Sequence, residues 1–207
     1  MSNKQYFNEV AHRWDEMRGT FFSEAVREKA ISIASVQHGK IAADIGAGTG
    51  FITEGLIQRG LRVIAMDQSE AMIREMKKKF KNIETVDYRI GEAEKLPIED
   101  EVVDYVFANM FLHHVEIPEI AIKEMARILK PGDILVITDL DEHNFEFLKK
   151  EHHDRWMGFK RENIKRWIME AGLKNVRVEC LGESCCAQSN GKDEYASISI
   201  FVALGEK

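Results

Sequence analysis

Beyond Lys40 the chain alternates short apolar runs with stretches of helical periodicity. Residues 41–45, 62–66, 86–90, 102–108 and 134–138 read as five buried strands. Between them, 51–59, 69–80 and 118–129 read as helices, the second capped by Ser69 and the third stopped by Lys130-Pro131-Gly132. Strand and helix in that order predict a parallel sheet covered on both faces. The tail differs: a helix over 163–171 is followed by strands over 175–180 and 197–203, joined by a polar loop too short for a crossover helix. The last strand is therefore expected to be antiparallel. The fold class is α/β, a Rossmann-like, seven-stranded, mostly parallel sheet.

Two stretches fall outside the strand-helix alternation. Residues 1–40 form an N-terminal helical cap, with Phe7, Val10, Ala11 and Trp14 at helical spacing, and 141–160 form a helical insertion. Phe145, Leu148, His152 and Trp156 share one face if residues 142–159 are a continuous helix. The expected organisation is one domain over 1–207: cap 1–40, core 41–140, insertion 141–160, and the remainder of the sheet in 161–207.

Composition narrows the partners. With 44% hydrophobic and 31% charged residues and no Ser/Gly/Pro-rich run, the chain reads as globular. Its 29 Lys and Arg against 35 Asp and Glu give a net charge of −6, which disfavours phosphate backbones and anionic lipid surfaces. No nucleic acid and no membrane partner is expected. The first residues carry no apolar signal core, which places the expected location in the cytoplasm. All three cysteines follow residue 179, so no disulfide framework is expected.

The chemistry gathers around Asp44-Ile45-Gly46-Ala47-Gly48-Thr49-Gly50, which ends a strand and opens a helix. Gly46, Ala47, Gly48 and Gly50 let the backbone approach a ligand at a helix N-terminus. The spacing is G-x-G-x-G, with Phe51 where the dinucleotide fingerprint needs its third glycine. Asp44 would repel a diphosphate and attract an ammonium group, and S-adenosylmethionine carries such a group. Asp67, 17 residues beyond Gly50 at the end of the next strand, suits two vicinal ribose hydroxyls. Gln68, Met72 and Asn109 are counted among the cofactor contacts.

These segments resemble the class I S-adenosylmethionine-dependent methyltransferases of the ubiquinone/menaquinone-biosynthesis type (methyltransferase type 11). The resemblance covers about residues 38–140. Gly91-Glu92-Ala93-Glu94-Lys95-Leu96-Pro97 is similar to that family's G-D-A-E-x-L-P segment, which implies that Glu92 and Ala93 meet the adenine. Asn109-Met110-Phe111-Leu112-His113-His114 resembles the segment after the fourth strand, and Leu129-Lys130-Pro131-Gly132-Asp133 the L-K-P-G-G turn. Glu92 is a longer acid than the usual Asp, and Asp133 replaces the second glycine. The resemblance implies methyl transfer from S-adenosylmethionine to a small-molecule acceptor.

A sulfonium methyl is already activated, so few catalytic side chains are needed beyond those that orient the acceptor and exclude water. His113 and His114 stand at the carboxyl edge of the sheet, where either can act as a base or where the pair can order the loop and line the pocket. Tyr6, Trp14, His143, His152 and Trp156 are the substrate-side candidates, with the insertion as a lid over the acceptor or as plain core packing. His143, His152 and His153 together with Cys180, Cys185 and Cys186 form a supply of soft ligands. The vicinal Cys185-Cys186 pair suits an arsenic-like thiophile, but no thiol precedes Cys180 and no C-x-x-C spacing occurs, so no metal ligand is assigned. Three readings stand: a small-molecule methyltransferase, a thiophile methylating or sequestering protein, and a non-catalytic module that binds the cofactor.

Overall fold

The computed structural model describes residues 2–191 and 193–207. Its first three helices are α1 (Asn3–Val10), α2 (Trp14–Phe21) and α3 (Glu24–Ala34). Ser2 and Gln5 close a capping box on α1, and Ser23 caps α3 through the Ala25 N–H. The core then runs β1 (Ile41–Ile45), α4 (Phe51–Gln58), β2 (Arg62–Asp67), α5 (Glu70–Lys79), β3 (Val86–Ile90), β4 (Val103–Asn109), α6 (Pro118–Ile128) and β5 (Leu129–Leu140). The chain closes with α7 (Glu146–Glu151), α8 (Arg161–Glu170), β6 (Lys174–Gln188) and β7 (Tyr195–Glu206).

The seven strands lie in the order β3-β2-β1-β4-β5-β7-β6. All neighbours are parallel except β7, which runs antiparallel to both β5 and β6. Successive residues of each strand point to opposite faces, so Ala42, Val63 and Phe107 join one apolar layer with α3 and α4, while Ala43, Met66 and Val106 join the other with α6 and α8. Strand order reverses between β1 and β4, which opens a crevice at their carboxyl ends. The cap closes over that edge: Tyr6, Val10 and Ala11 pack on Ala71 and Met72 of α5, and Asn8 Oδ1 accepts from Ser69 Oγ (2.7 Å) and Ala71 N (3.3 Å).

Two expectations are corrected. The helix over 142–159 shrinks to the six residues of α7. His153 adopts a positive φ of 59°, and the chain then returns beside its own start: Glu142 N donates to Phe159 O (3.0 Å), His143 N to Met157 O (2.9 Å) and Phe159 N to Leu140 O (2.9 Å). Backbone pairing outcompetes helical periodicity here, and Trp156 is not on the face of Phe145 and Leu148. The expected polar loop between the last strands is mostly sheet, because β6 extends to Gln188 across a register shift between Cys180 and Ser184.

The returning segment depends on Gly158, whose φ is +67° and whose absent Cβ would lie 2.1 Å from Asp141 O. Gly132 has a φ of +85° and open space around it. Gly132→Ala should therefore cost about 1–2 kcal/mol of left-handed strain, or a few degrees of melting temperature. Gly158→Ala should cost at least twice that, since backbone must also move. Equal melting curves for the two variants would contradict the packing described.

Candidate functional site

The carboxyl ends of β1 and β2 deliver two aspartates to the crevice. Asp44 Oδ2 accepts from Thr53 N (2.9 Å) and Thr53 Oγ1 (2.6 Å). Burial pushes its carboxyl up to about 7, and the charge of Asp67 adds to the shift. Asp67 accepts from Gly48 N at Oδ2 and Ser69 N at Oδ1, both at 2.8 Å. Burial raises its pKa as well, against those backbone donors. Among the described residues no lysine or arginine forms an ion pair with either carboxylate. Gly46 N and Ala47 N both donate to Met66 O (2.9 Å each), which folds the loop against β2. A Cβ on Gly46 would fall 2.0 Å from the Phe111 ring, so the ring rests on the bare α-carbon.

Three cavities with shared lining residues lie at this edge. The central one is lined by Asp44, Gly46, Ala47, Gly48, Asp67, Gln68, Met72 and Asn109, with Trp14 and Arg18 of the cap above them. Trp14 Nε1 comes within 3.4 Å of where a Gly48 Cβ would stand, so the cap sits directly on the glycine loop. Arg18 stacks over the Phe51 ring at 4.1 Å and ion-pairs with Glu24 at 3.0 Å, yet its Nε is buried without a partner. A second cleft lies beyond Phe111 and is lined by Glu92 and Ala93. Gly50 does not face the crevice: its φ is +92° and a Cβ there would strike Phe80 and Met76, so it serves the packing of α4 on α5.

The third cavity is a chamber walled by Tyr6, Phe7, Trp14, Phe21 and Phe22 on the cap side. Its polar end holds His113, His114, His152, Asp154 and Cys185. His113 Nδ1 lies 2.6 Å from Asp139 Oδ1, and Asp139 also accepts from Leu112 N (2.8 Å), His113 N (3.3 Å) and Leu140 N (2.7 Å). Burial opposes protonation of His113, but the Asp139 and Asp154 carboxylates outweigh it and raise its pKa to about 9. Burial and the neighbouring His113 charge hold His114 well below the usual imidazole range. Alone among the described residues, His114 lines all three cavities.

Of the substrate-side candidates, Tyr6, Trp14 and His152 reach the chamber, with Tyr6 Oη 3.5 Å from His152 Nδ1. His143 and Trp156 are not among its walls. His143 Nδ1 accepts from Phe145 N (3.2 Å), and Trp156 is half-exposed with its Nε1 donating to Val115 O (2.9 Å). The vicinal thiols also separate: consecutive strand positions point to opposite faces, leaving Cys185 buried and Cys186 on the other face of β6 beside Ser197. Arg18, Phe111, Asp139 and Asp154 escaped the sequence reading. Asp139 had one legible signal, an acid closing the apolar run of β5.

Among the described residues no helix is long and apolar enough to cross a membrane. Residues 43–137 match the methyltransferase domain family. The demethylmenaquinone methyltransferase of Staphylococcus aureus is 27% identical over 91% of this chain and 91% of its own length. The biotin biosynthesis bifunctional protein BioHC of Cellvibrio japonicus is 28% identical over 82% of this chain, which spans only 34% of that protein. The fold is shared with the Haemonchus contortus phosphoethanolamine N-methyltransferase 2 solved with phosphomonomethylethanolamine and S-adenosylhomocysteine: TM-score 0.71, 17% identity, 87% of this chain and 52% of that one. The match to the methyltransferase domain family runs from β1 into β5.

Proposed function

We propose that this protein transfers a methyl group from S-adenosylmethionine to a small, partly apolar acceptor. The observation that carries the reading is the central cavity, where a buried carboxylate without a cation, Asp44, faces the same space as a buried guanidinium nitrogen without a partner, Arg18 Nε. The ammonium and carboxylate of one amino-acid group answer both deficits, the first a buried carboxylate without a counter-charge and the second a buried N–H without an acceptor. A nicotinamide dinucleotide answers neither, and its diphosphate would meet Asp44.

In this reading Asp44 takes the ammonium, Arg18 the carboxylate, Asp67 the ribose hydroxyls, and Glu92 with the Ala93 amide the adenine. Bound there, S-adenosylmethionine supplies a methyl already activated on sulfonium sulfur. The residues of the chain then orient the acceptor and keep water out. The aromatic walls of the inner chamber take the apolar part of the acceptor, and its nucleophilic atom turns toward His114, at the junction of the three cavities. Access to that chamber is covered by the cap through Tyr6 and Trp14.

Calorimetry should show S-adenosylmethionine or S-adenosylhomocysteine binding in the micromolar range and no heat with NAD. Asp67→Ala and Arg18→Gln should each weaken that binding about tenfold or more, the loss of one charge-assisted hydrogen bond. The reverse ligand preference overturns the reading, and binding without turnover across a panel of metabolites would mark a non-catalytic module. The affinity should also depend on pH in a stated direction. Asp44 is held up to about 7 in the free protein, and a bound ammonium stabilises its charged form. Binding should therefore be full above neutrality and fall by up to about tenfold per pH unit below it, as Asp44 protonates. Asp44→Asn should flatten that profile; a wild-type affinity independent of pH would contradict the role of Asp44.

A further inference from the structure

At the polar end of the inner chamber three donors converge without sharing a proton. His113 Nε2 lies 3.9 Å, and His114 Nδ1 3.8 Å, from the same oxygen, Asp154 Oδ1. One donor atom from each of the three residues lies within 4.8 Å of the others. These separations exceed hydrogen-bond length. A tetrahedral ion with bonds near 2.1 Å to imidazole nitrogen and carboxylate oxygen holds its donors roughly 3.4 Å apart, so the ion draws each imidazole about half an ångström toward Asp154 and the two imidazoles together by up to about 1.4 Å.

The surroundings aim each donor inward. His114 Nδ1 is buried with no hydrogen-bond partner, in a side chain only 10% exposed. With the ring proton on Nε2, Nδ1 presents a free lone pair on the Asp154 side. The contact of His113 Nδ1 with Asp139 turns Nε2 toward Asp154, the arrangement in which a carboxylate orients a ligating histidine. Asp154 is held opposite the pair because the two residues after it are clipped to His113: Arg155 N and Trp156 N both donate to His113 O at 3.0 Å. Trp156 Nε1 on Val115 O (2.9 Å) and Asn3 Nδ2 on His114 O (2.9 Å) pin the same turn from two sides. Two buried carboxylates, Asp139 and Asp154, face the imidazole pair here, and among the described residues that line the chamber there is no lysine or arginine.

We propose that His113 Nε2, His114 Nδ1 and Asp154 Oδ1 bind a divalent transition-metal ion of the zinc class, and that its free coordination positions face the inner chamber and dock the acceptor through a heteroatom. Two imidazoles and one carboxylate suit zinc and its neighbours rather than magnesium or calcium, which take oxygen. On binding, the ion takes the place of the proton on His113 Nε2, which leaves to solvent. The docking role rests on the methyl-transfer reading; the ion site does not.

The full chain, stripped with a chelator and titrated with zinc against a chromophoric competitor, should bind one ion. Asp154→Asn, close to isosteric, and His114→Ala should each lower zinc affinity about a hundredfold, with S-adenosylhomocysteine affinity retained in Asp154→Asn. The doubly substituted Cys180→Ser/Cys186→Ser chain should keep the full stoichiometry. Cobalt bound to the wild-type chain should show visible ligand-field bands without the near-ultraviolet band of cobalt-thiolate bonding, a readout independent of any variant. Less than one zinc per chain, wild-type zinc affinity in either variant, or a thiolate band from cobalt would overturn the site. If zinc binds as described while S-adenosylhomocysteine does not, the ion site stands and the methyl-transfer reading falls.

Discussion

Unpaired negative charge at one edge of the sheet is the constraint around which this molecule is arranged. The opposite edge makes the contrast visible. Asp104, at the amino end of β4, is also buried, yet it accepts from Ile41 N (2.8 Å), Lys40 Nζ (3.1 Å) and Lys130 Nζ (3.0 Å). Burial works to raise its pKa, and those partners bring it below the usual carboxylate range. At the carboxyl edge Asp44 and Asp67 have hydroxyl and amide donors but no cation, and both are shifted upward. A chain able to neutralise a buried aspartate with lysines at one end leaves two without any at the other. An ordinary core gains nothing from that arrangement, whereas a cationic ligand converts the cost into affinity.

The cap and the glycine loop follow from the same constraint. Asp67 fixes the loop by accepting from Gly48 N (2.8 Å), and Asp15 of α2 accepts from Thr49 Oγ1 (2.5 Å) on its outer side. The loop is thereby clamped between sheet and cap, and water is kept from the two acids beneath it. The inner chamber repeats the theme with a different answer: Asp139 is satisfied by three backbone N–H groups and one imidazole, which fixes His113 and leaves His114 free to face the cavities.

Much of this was legible along the chain because the information is local. Strands β1 to β5 show as apolar runs, the glycine loop by spacing, and Asp67 by its place after a strand. The antiparallel β7 follows from a connection too short to cross over. What was illegible depends on contacts distant in sequence. His153 breaks the insertion because residues 157–159 pair with 140–143, a competition that periodicity cannot register. Trp156 therefore becomes a pin on Val115 rather than part of a lid. Arg18 looks like an ordinary charged helix residue until the cap folds onto Phe51, and Asp154 has no motif; only the return of the insertion brings it to His113 and His114. Cys185 and Cys186 look like one site in sequence and are divided by a strand.

The account places an amino-acid zwitterion between Asp44 and Arg18, a ribose at Asp67, and the acceptor in the chamber behind His114. A crystal structure of the full chain with S-adenosylhomocysteine tests this arrangement most directly. The account predicts the ammonium against the Asp44 carboxylate, the ligand carboxylate at Arg18 Nε, the adenine beside Glu92 and Ala93, and the sulfur pointing toward the inner chamber. A ligand bound in the reverse direction, or outside the crevice between β1 and β4, would contradict it.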